Sequence, residues 1–168
     1  MAGVPNSRNA TQVTLQNRLQ QDMQAAIRER DELRRDTLRM VVAAAYNLQK
    51  QAGRELTDDE VVTVLTREVK TRKESVEAFT AGGRTDAAAK EQAEIGIISA
   101  YLPEQIGADE LARLVATAVD ESGATSVKDM GKVMAVLMPR VKGRADGKQV
   151  SSLVTQELAR RDLAGHGH

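Results

Sequence analysis

Apolar residues recur along this chain every three or four positions, and sustained two-residue alternation is missing, so the pattern predicts helices throughout. Leu15, Leu19, Met23, Ala26 and Ile27 form one stripe on a helix from near Thr14 to Arg30. The charged stretch Arg28 to Asp36 is compatible with a bend, a turn or a continuation. A second helix carries Leu38, Val41, Val42, Ala45 and Leu48 inward and stops near Gly53, a glycine C-cap. Thr57-Asp58-Asp59-Glu60 reads as a capping box opening a third helix, whose inner side holds Val61, Val64, Leu65, Val69, Val76 and Phe79. Gly82-Gly83 ends it. A fourth helix starts near Thr85 or Asp86, is expected to bury Ala89, Ala93, Ile97 and Ile98, and ends at Leu102-Pro103, where the residue before proline leaves the α region.

Beyond this point the helices shorten. A fifth spans about Asp109 to Glu121 with Leu111, Leu114, Val115 and Ala118 inward. A sixth spans about Ser126 to Val141, with Ser126 and Asp129 offering a second capping box. A seventh begins near Asp146 and carries Val150, Leu153, Val154 and Leu158, with Gly123 and Gly143 at the turns. The expected architecture is all-α: an arm at 1–11, read as disordered, a helical domain at 12–102, a linker at 103–108, a three-helix domain at 109–162 and a frayed tail at 163–168.

Composition narrows the chemistry. The 168 residues hold 24 Lys+Arg and 24 Asp+Glu, no cysteine, no tryptophan, two tyrosines and one phenylalanine. A disulfide framework, a thiolate metal site and a catalytic thiol are excluded. Three aromatic rings argue against base stacking on an aromatic platform, and a balanced charge argues against a polybasic chain held by bulk charge. The longest uncharged run, Met40 to Gln49, falls short of the ~18 apolar residues of a membrane span. The first residues, with Arg8 and no apolar core, do not resemble a secretory signal, so the expected compartment is the cytoplasm.

Candidate chemistry is sparse. The two histidines, His166 and His168, lie in the tail, where a frayed chain does not fix an imidazole for catalysis. Asp58, Asp59 and Glu60 are explained by helix capping and the positive end of the helix dipole rather than by a metal. No phosphate loop or dinucleotide fingerprint occurs. The sequence thus assigns no catalytic residue, no metal ligand and no cofactor. Arg28, Arg30, Arg34, Arg35 and Arg39 are interleaved with Asp31, Glu32 and Asp36 and read as local ion pairs, with Arg39 expected to be partly buried.

Lys128 to Lys148 differs: six cations, Lys128, Lys132, Arg140, Lys142, Arg144 and Lys148, face two acids, Asp129 and Asp146. Loop amides, the next helix N-terminus and Lys132, Arg140, Lys142, Arg144 and Lys148 are suited to a nucleic-acid phosphate, although Asp146 itself supplies an anion at that N-terminus. The alternative is a solvated basic loop. On the same stretch, Met130, Met134 and Met138 share one helix face, either as core filler or as an adaptable partner surface beside Gly131.

Four segments in order resemble the YqeY-like family, also called GatB/YqeY-domain proteins. They are Thr37-Leu38-Arg39-Met40 with Ala43-Ala44, then Arg72 to Phe79 continued by Gly83-Arg84, Asp86 and Lys90-Glu91, then Tyr101 to Ile106, and finally Lys128 to Met134 running through Leu137-Met138-Pro139 to Lys142-Gly143-Arg144-Ala145-Asp146-Gly147-Lys148. The resemblance covers about residues 12 to 160 and implies an N-terminal helical domain followed by a smaller C-terminal one. Gly131-Lys132-Val133-Met134 and Lys142 to Asp146 are similar to elements in the tail of the B subunit of the aspartyl/glutamyl-tRNA amidotransferase. In that enzyme the helical and tail regions grip tRNA, and the family label is carbon–nitrogen ligase activity with glutamine as amido-N-donor. The catalytic domain of that subunit has no counterpart here. The resemblance therefore implies contact with tRNA, or with an aminoacyl-tRNA synthetase or amidotransferase, without catalysis, and a protein–protein adaptor is the rival expectation.

Overall fold

The computed structural model describes residues 13–166, and the arm at 1–11 lies outside them. Among the described residues the chain is all-α. The helices are α1 (Leu15–Glu29), α2 (Glu32–Ala52), α3 (Asp58–Ala81), α4 (Thr85–Ser99), α5 (Ala108–Ser122), α6 (Met130–Val141) and α7 (Gly147–Gly165). They form two compact units, divided between Tyr101 and Leu102.

In the first unit, local chemistry sets each helix boundary. Thr14 Oγ1 accepts from the Asn17 N–H at 3.1 Å and opens α1. The Arg28 to Asp36 stretch resolves as a turn. Arg30 takes the left-handed conformation at φ 58°, its neighbour Asp31 donates its N–H to the Ala26 carbonyl, and the Asp31 carboxylate caps α2 by accepting from Arg34 N–H. Thr57 Oγ1 accepts from Glu60 N–H at 3.2 Å, the capping arrangement its spacing predicts. Arg54 donates to the Glu60 carboxylate at 2.9 Å and holds it below the usual carboxylate range, aided by Thr57. Asp58 in that first turn accepts from the Leu15 N–H at 3.0 Å, tying the start of α1 to the start of α3.

Burial follows the predicted stripes on α1, α2 and α3, except that Ile27, expected on the α1 stripe, is exposed near the end of that helix. Leu19, Leu38, Val41, Val61 and Leu65 are fully enclosed. The fourth helix departs from prediction. Ile98 is enclosed as expected and Ile97 is half-buried, but Ala89 and Ala93 are exposed and Ala88, Glu94 and Ile95 face inward instead, so the buried face is rotated by about one position. The cause is an arginine. Arg72 of α3 is 4% exposed, and its Nε donates to Glu94 Oε2 at 3.0 Å. Its Nη1 donates to the Glu68 carboxylate at 2.7 Å and to the Glu68 carbonyl at 3.1 Å, and Nη2 lies 3.7 Å from Met40 Sδ on α2. A buried guanidinium needs its carboxylate, and Glu94 turns inward to supply it. Burial opposes the charge on Arg72, but Glu68 and Glu94 outweigh it and raise its pKa. Arg39, expected to be partly buried, is exposed and 4.0 Å from Asp36. Tyr101 closes this unit: its ring is buried, its hydroxyl donates to Asp22 at 2.6 Å, and the Arg18 guanidinium lies 5.0 Å from the ring centroid.

The second unit packs α5, α6 and α7 around Leu111, Val115, Val133, Leu137, Val154 and Leu158. Residues 103–108, read from sequence as a linker, are bound into it, with Ile106 packed against its core. The proposed Ser126 cap is not made: a single 3-10 turn, Val127–Asp129, precedes α6, and Asp129 accepts instead from Thr125 N–H and Oγ1 at 3.0 and 3.3 Å. The frayed tail is also corrected in part, since α7 continues to Gly165.

Removing one partner of a buried pair strands the other charge. Arg72→Ala is expected to lower the urea unfolding free energy by about 3–5 kcal/mol, a cost typical of such a truncation. Glu94→Gln, which keeps an acceptor, is expected to cost less. A loss under about 1 kcal/mol for Arg72→Ala, the range of exposed pairs, would remove the pair from its structural role.

Candidate nucleic-acid interface

The basic stretch is built around the turn that joins α6 to α7. Lys142 leaves α6 in an extended conformation, Gly143 follows at φ +73°, and the N–H groups of Arg144 and Ala145 both donate to the Val141 carbonyl, at 2.9 and 3.1 Å. Glycine populates that backbone region without strain, and Gly143 is buried, which fixes the turn in the unit. Asp146 then caps α7 by accepting from Lys148 N–H at 3.1 Å.

A second segment holds this turn from within. Gln105 Nε2 donates to the Gly143 carbonyl at 3.0 Å, and the Ile106 N–H donates to the Arg144 carbonyl at 2.8 Å. Arg144 returns the contact, its Nε donating to the Glu104 carbonyl at 3.1 Å. Two sequence segments some 40 residues apart therefore make one backbone-bonded loop.

The structure sorts the five candidate cations into two sets. Lys132 is exposed and sits 3.6 Å from Asp129. The Asp129 carboxyl lies below its ordinary range because the Thr125 N–H bonds to it and Lys132 stands nearby. Arg140 pairs with Glu121 of α5 at 2.6 Å. Arg144 approaches Glu110 of α5 at 4.0 Å while bonding Glu104. The fold therefore brings acids from outside the basic stretch onto two of its arginines. Lys142 and Lys148 are exposed, and among the described residues neither has a carboxylate within ion-pair distance. The N-terminus of α7 is occupied by Asp146, the anion that the sequence places at that helix end.

Met130, Met134 and Met138 are half-buried and pack against the second unit's core, and Thr155 Oγ1 lies 3.6 Å from Met130 Sδ. Gly131 is exposed, with open space where a side chain would stand.

At the far end of α7 a shallow cleft of about 400 Å³ is lined by residues that include Thr125, Ser126, Arg161, Asp162 and His166. His166 is exposed just beyond α7, its Nδ1 2.7 Å from the Asp162 carbonyl oxygen; His168 lies outside the described residues. Arg161 is fully engaged, with Glu157 at 2.7 Å, with Asp120 of α5, and with the Ala116 carbonyl at 3.3 Å. Hydrogen bonds from Arg160 and then Arg161 pull the Glu157 carboxyl down to about 2. This cluster fastens α7 to α5. Among the described residues no group of three or more histidine, aspartate or glutamate side chains is placed to hold a metal ion, and no helix is long and apolar enough to cross a membrane.

The two helical units and the braced basic turn define a helical module of a known class. The chain belongs to the YqeY-like family, whose model, described as "Yqey-like protein", matches residues 16–158. It is similar to "Altered inheritance of mitochondria protein 41, mitochondrial" of Pyrenophora tritici-repentis, with 31% identity over 145 residues, 84% of this chain and 78% of that protein. The protein of the same name from Lachancea thermotolerans is 31% identical over 85 residues, 50% of this chain and 46% of its own length.

Glu157 makes stability of the second unit depend on acid. Its folded pKa is depressed, so its contribution is complete above the ordinary value of 4.5 and is lost as pH falls towards about 2. In thermal melts across that window, wild type is expected to lose more stability than Glu157→Gln. Parallel profiles would show that the cluster contributes nothing.

Proposed function

We propose that this YqeY-like protein is a non-catalytic helical module that touches structured RNA, namely tRNA, or assists a tRNA-charging enzyme or amidotransferase. The observation that carries this reading is the pair Lys142 and Lys148. Lys142 projects from the turn braced by Gln105 and Ile106, Lys148 stands in the first turn of α7 directly after it, and both are left without acidic partners among the described residues. A fixed loop bearing uncompensated ammonium groups suits phosphate oxygens, and such contacts read the shape of RNA more than its sequence. The similarity of Gly131 to Met134 and Lys142 to Asp146 to the amidotransferase B-subunit tail supports tRNA as the RNA.

Lys132, Arg140 and Arg144 enter the proposal in a second role. Each can turn to a phosphate only in exchange for Asp129, Glu121 or Glu110, so each contributes less than a free lysine. The cytoplasm is the compartment proposed for this chain; the word "mitochondrial" belongs to the names of its relatives.

Fluorescence anisotropy with labelled total tRNA tests the reading at about 50 and 200 mM salt, where phosphate contacts weaken steeply. Saturable binding that falls with salt is expected, reduced at least tenfold in Lys142→Glu/Lys148→Glu. That double variant spares the Arg144 brace, so its fold is expected to persist by circular dichroism. Absence of binding at the lower salt would overturn the proposal. A salt-resistant protein captured by the Met130–Met134–Met138 face would favour the adaptor reading, and glutamine-dependent turnover by the isolated chain would favour the enzyme.

A further inference from the structure

The Arg72 cluster holds one donor whose partner is poor. Nε and Nη1 are bonded to carboxylates and a carbonyl, whereas Nη2 faces the Met40 thioether, 3.7 Å away. A thioether is a weak acceptor, and a guanidinium removed from water favours a strong one. Met40 is also accessible: 55% of its surface is open to solvent, whereas Met23, Met130, Met134 and Met138 are half-buried. Among the described residues, Met40 therefore combines an open side chain with a buried cation beside its sulfur.

We propose that Met40 is an oxidation site for peroxides, and that Arg72 Nη2 captures the oxygen of the resulting sulfoxide. A sulfur lone pair attacks one oxygen of hydrogen peroxide. The S–O bond forms as the O–O bond breaks, the departing hydroxide takes up the proton released by the oxygen that is transferred, and water leaves. Sulfur is oxidised by two electrons and the peroxide is reduced by two. The product replaces a soft acceptor with a polar oxygen, and the three rotatable bonds of methionine let that oxygen turn to Nη2.

The consequence is the reverse of ordinary methionine damage. A sulfoxide formed in an apolar contact disrupts it, but at Met40 the new oxygen meets a donor already fixed by Glu68 and Glu94. The exposed face of α2 then carries a fixed polar group beside Arg39, and the change is reversible by sulfoxide reduction.

Limiting hydrogen peroxide followed by peptide mapping of the full chain tests access. Met40 is expected to oxidise several-fold faster than Met23, Met130, Met134 and Met138, and equal rates would overturn the proposal. Capture is tested by urea unfolding of the Met40 monosulfoxide and of Met40→Gln, whose amide oxygen stands in for the sulfoxide, against Met40→Leu. The first two are expected to unfold at or above the wild-type midpoint and Met40→Leu below both. A monosulfoxide or Met40→Gln midpoint below that of Met40→Leu would overturn capture by Arg72. These substitutions fall at an exposed position, so the comparison does not depend on altering the buried arginine.

Discussion

A guanidinium taken out of water dictates the arrangement of the first unit. Arg72 reaches two carboxylates, one from its own helix and one from α4, and touches α2 through Met40. Such a group contributes less net stability than well-packed apolar residues of the same volume, because desolvation offsets much of the attraction. What it supplies here is registry. Three helices meet at one point with directional bonds, and α4 has one rotation that delivers Glu94 to Nε. The outward placement of Ala89 and Ala93 follows from that rotation. Thr37, fully buried on α2, donates its hydroxyl to the Leu33 carbonyl and so asks nothing of the neighbouring helices.

The second unit reaches a defined arrangement by different means. Its fixed point is a turn whose carbonyls, at Gly143 and Arg144, are bonded by Gln105 and Ile106. Uncharged bonds of this kind to backbone carbonyls survive changes in the surface charges around them, whereas the ion pairs on and beside the turn are partly exposed and weak. The four segments that mark the family thus fall into two structural pairs. The first and second meet through Met40 and Arg72, and the third and fourth meet through Gln105, Ile106 and the Gly143 turn. Several residues that look functional by type, Arg72 and Arg144 above all, have structural partners.

Much of this was legible in the sequence. The capping threonine at 57, the C-cap glycine at 53, the aspartate cap at 146 and the stripes of α1 to α3 each rest on contacts within a few residues, and such contacts leave a periodic trace. The inner face of α4 left little trace, because alanine, isoleucine and glycine lie on several sides of that helix. A clue was present on α3: Arg72 stands between Val69 and Val76 at the stripe's own spacing, so a cation occupies an inward position and requires an acid opposite. The pairing of the basic stretch was not legible. Glu121 and Glu110 lie 19 and 34 positions before the arginines they meet, and spacing along one helix says nothing about such partners.

This long-range neutralisation bears on the proposed RNA contact. A stretch that reads as strongly basic in sequence presents, once folded, two lysines of the five candidates free of acid partners. Each phosphate neutralised on duplex-like RNA releases about one counterion, so two lysines give a log–log salt slope of about two and a modest affinity. Binding of that kind gains strength when a second contact holds the same RNA, because the tethered site then acts at a high effective concentration. A braced but weakly charged turn therefore suits the proposed role of a module working alongside another RNA-binding surface. A strongly cationic loop would bind any nucleic acid indiscriminately, and the acids that α5 places on Arg140 and Arg144 restrain that tendency.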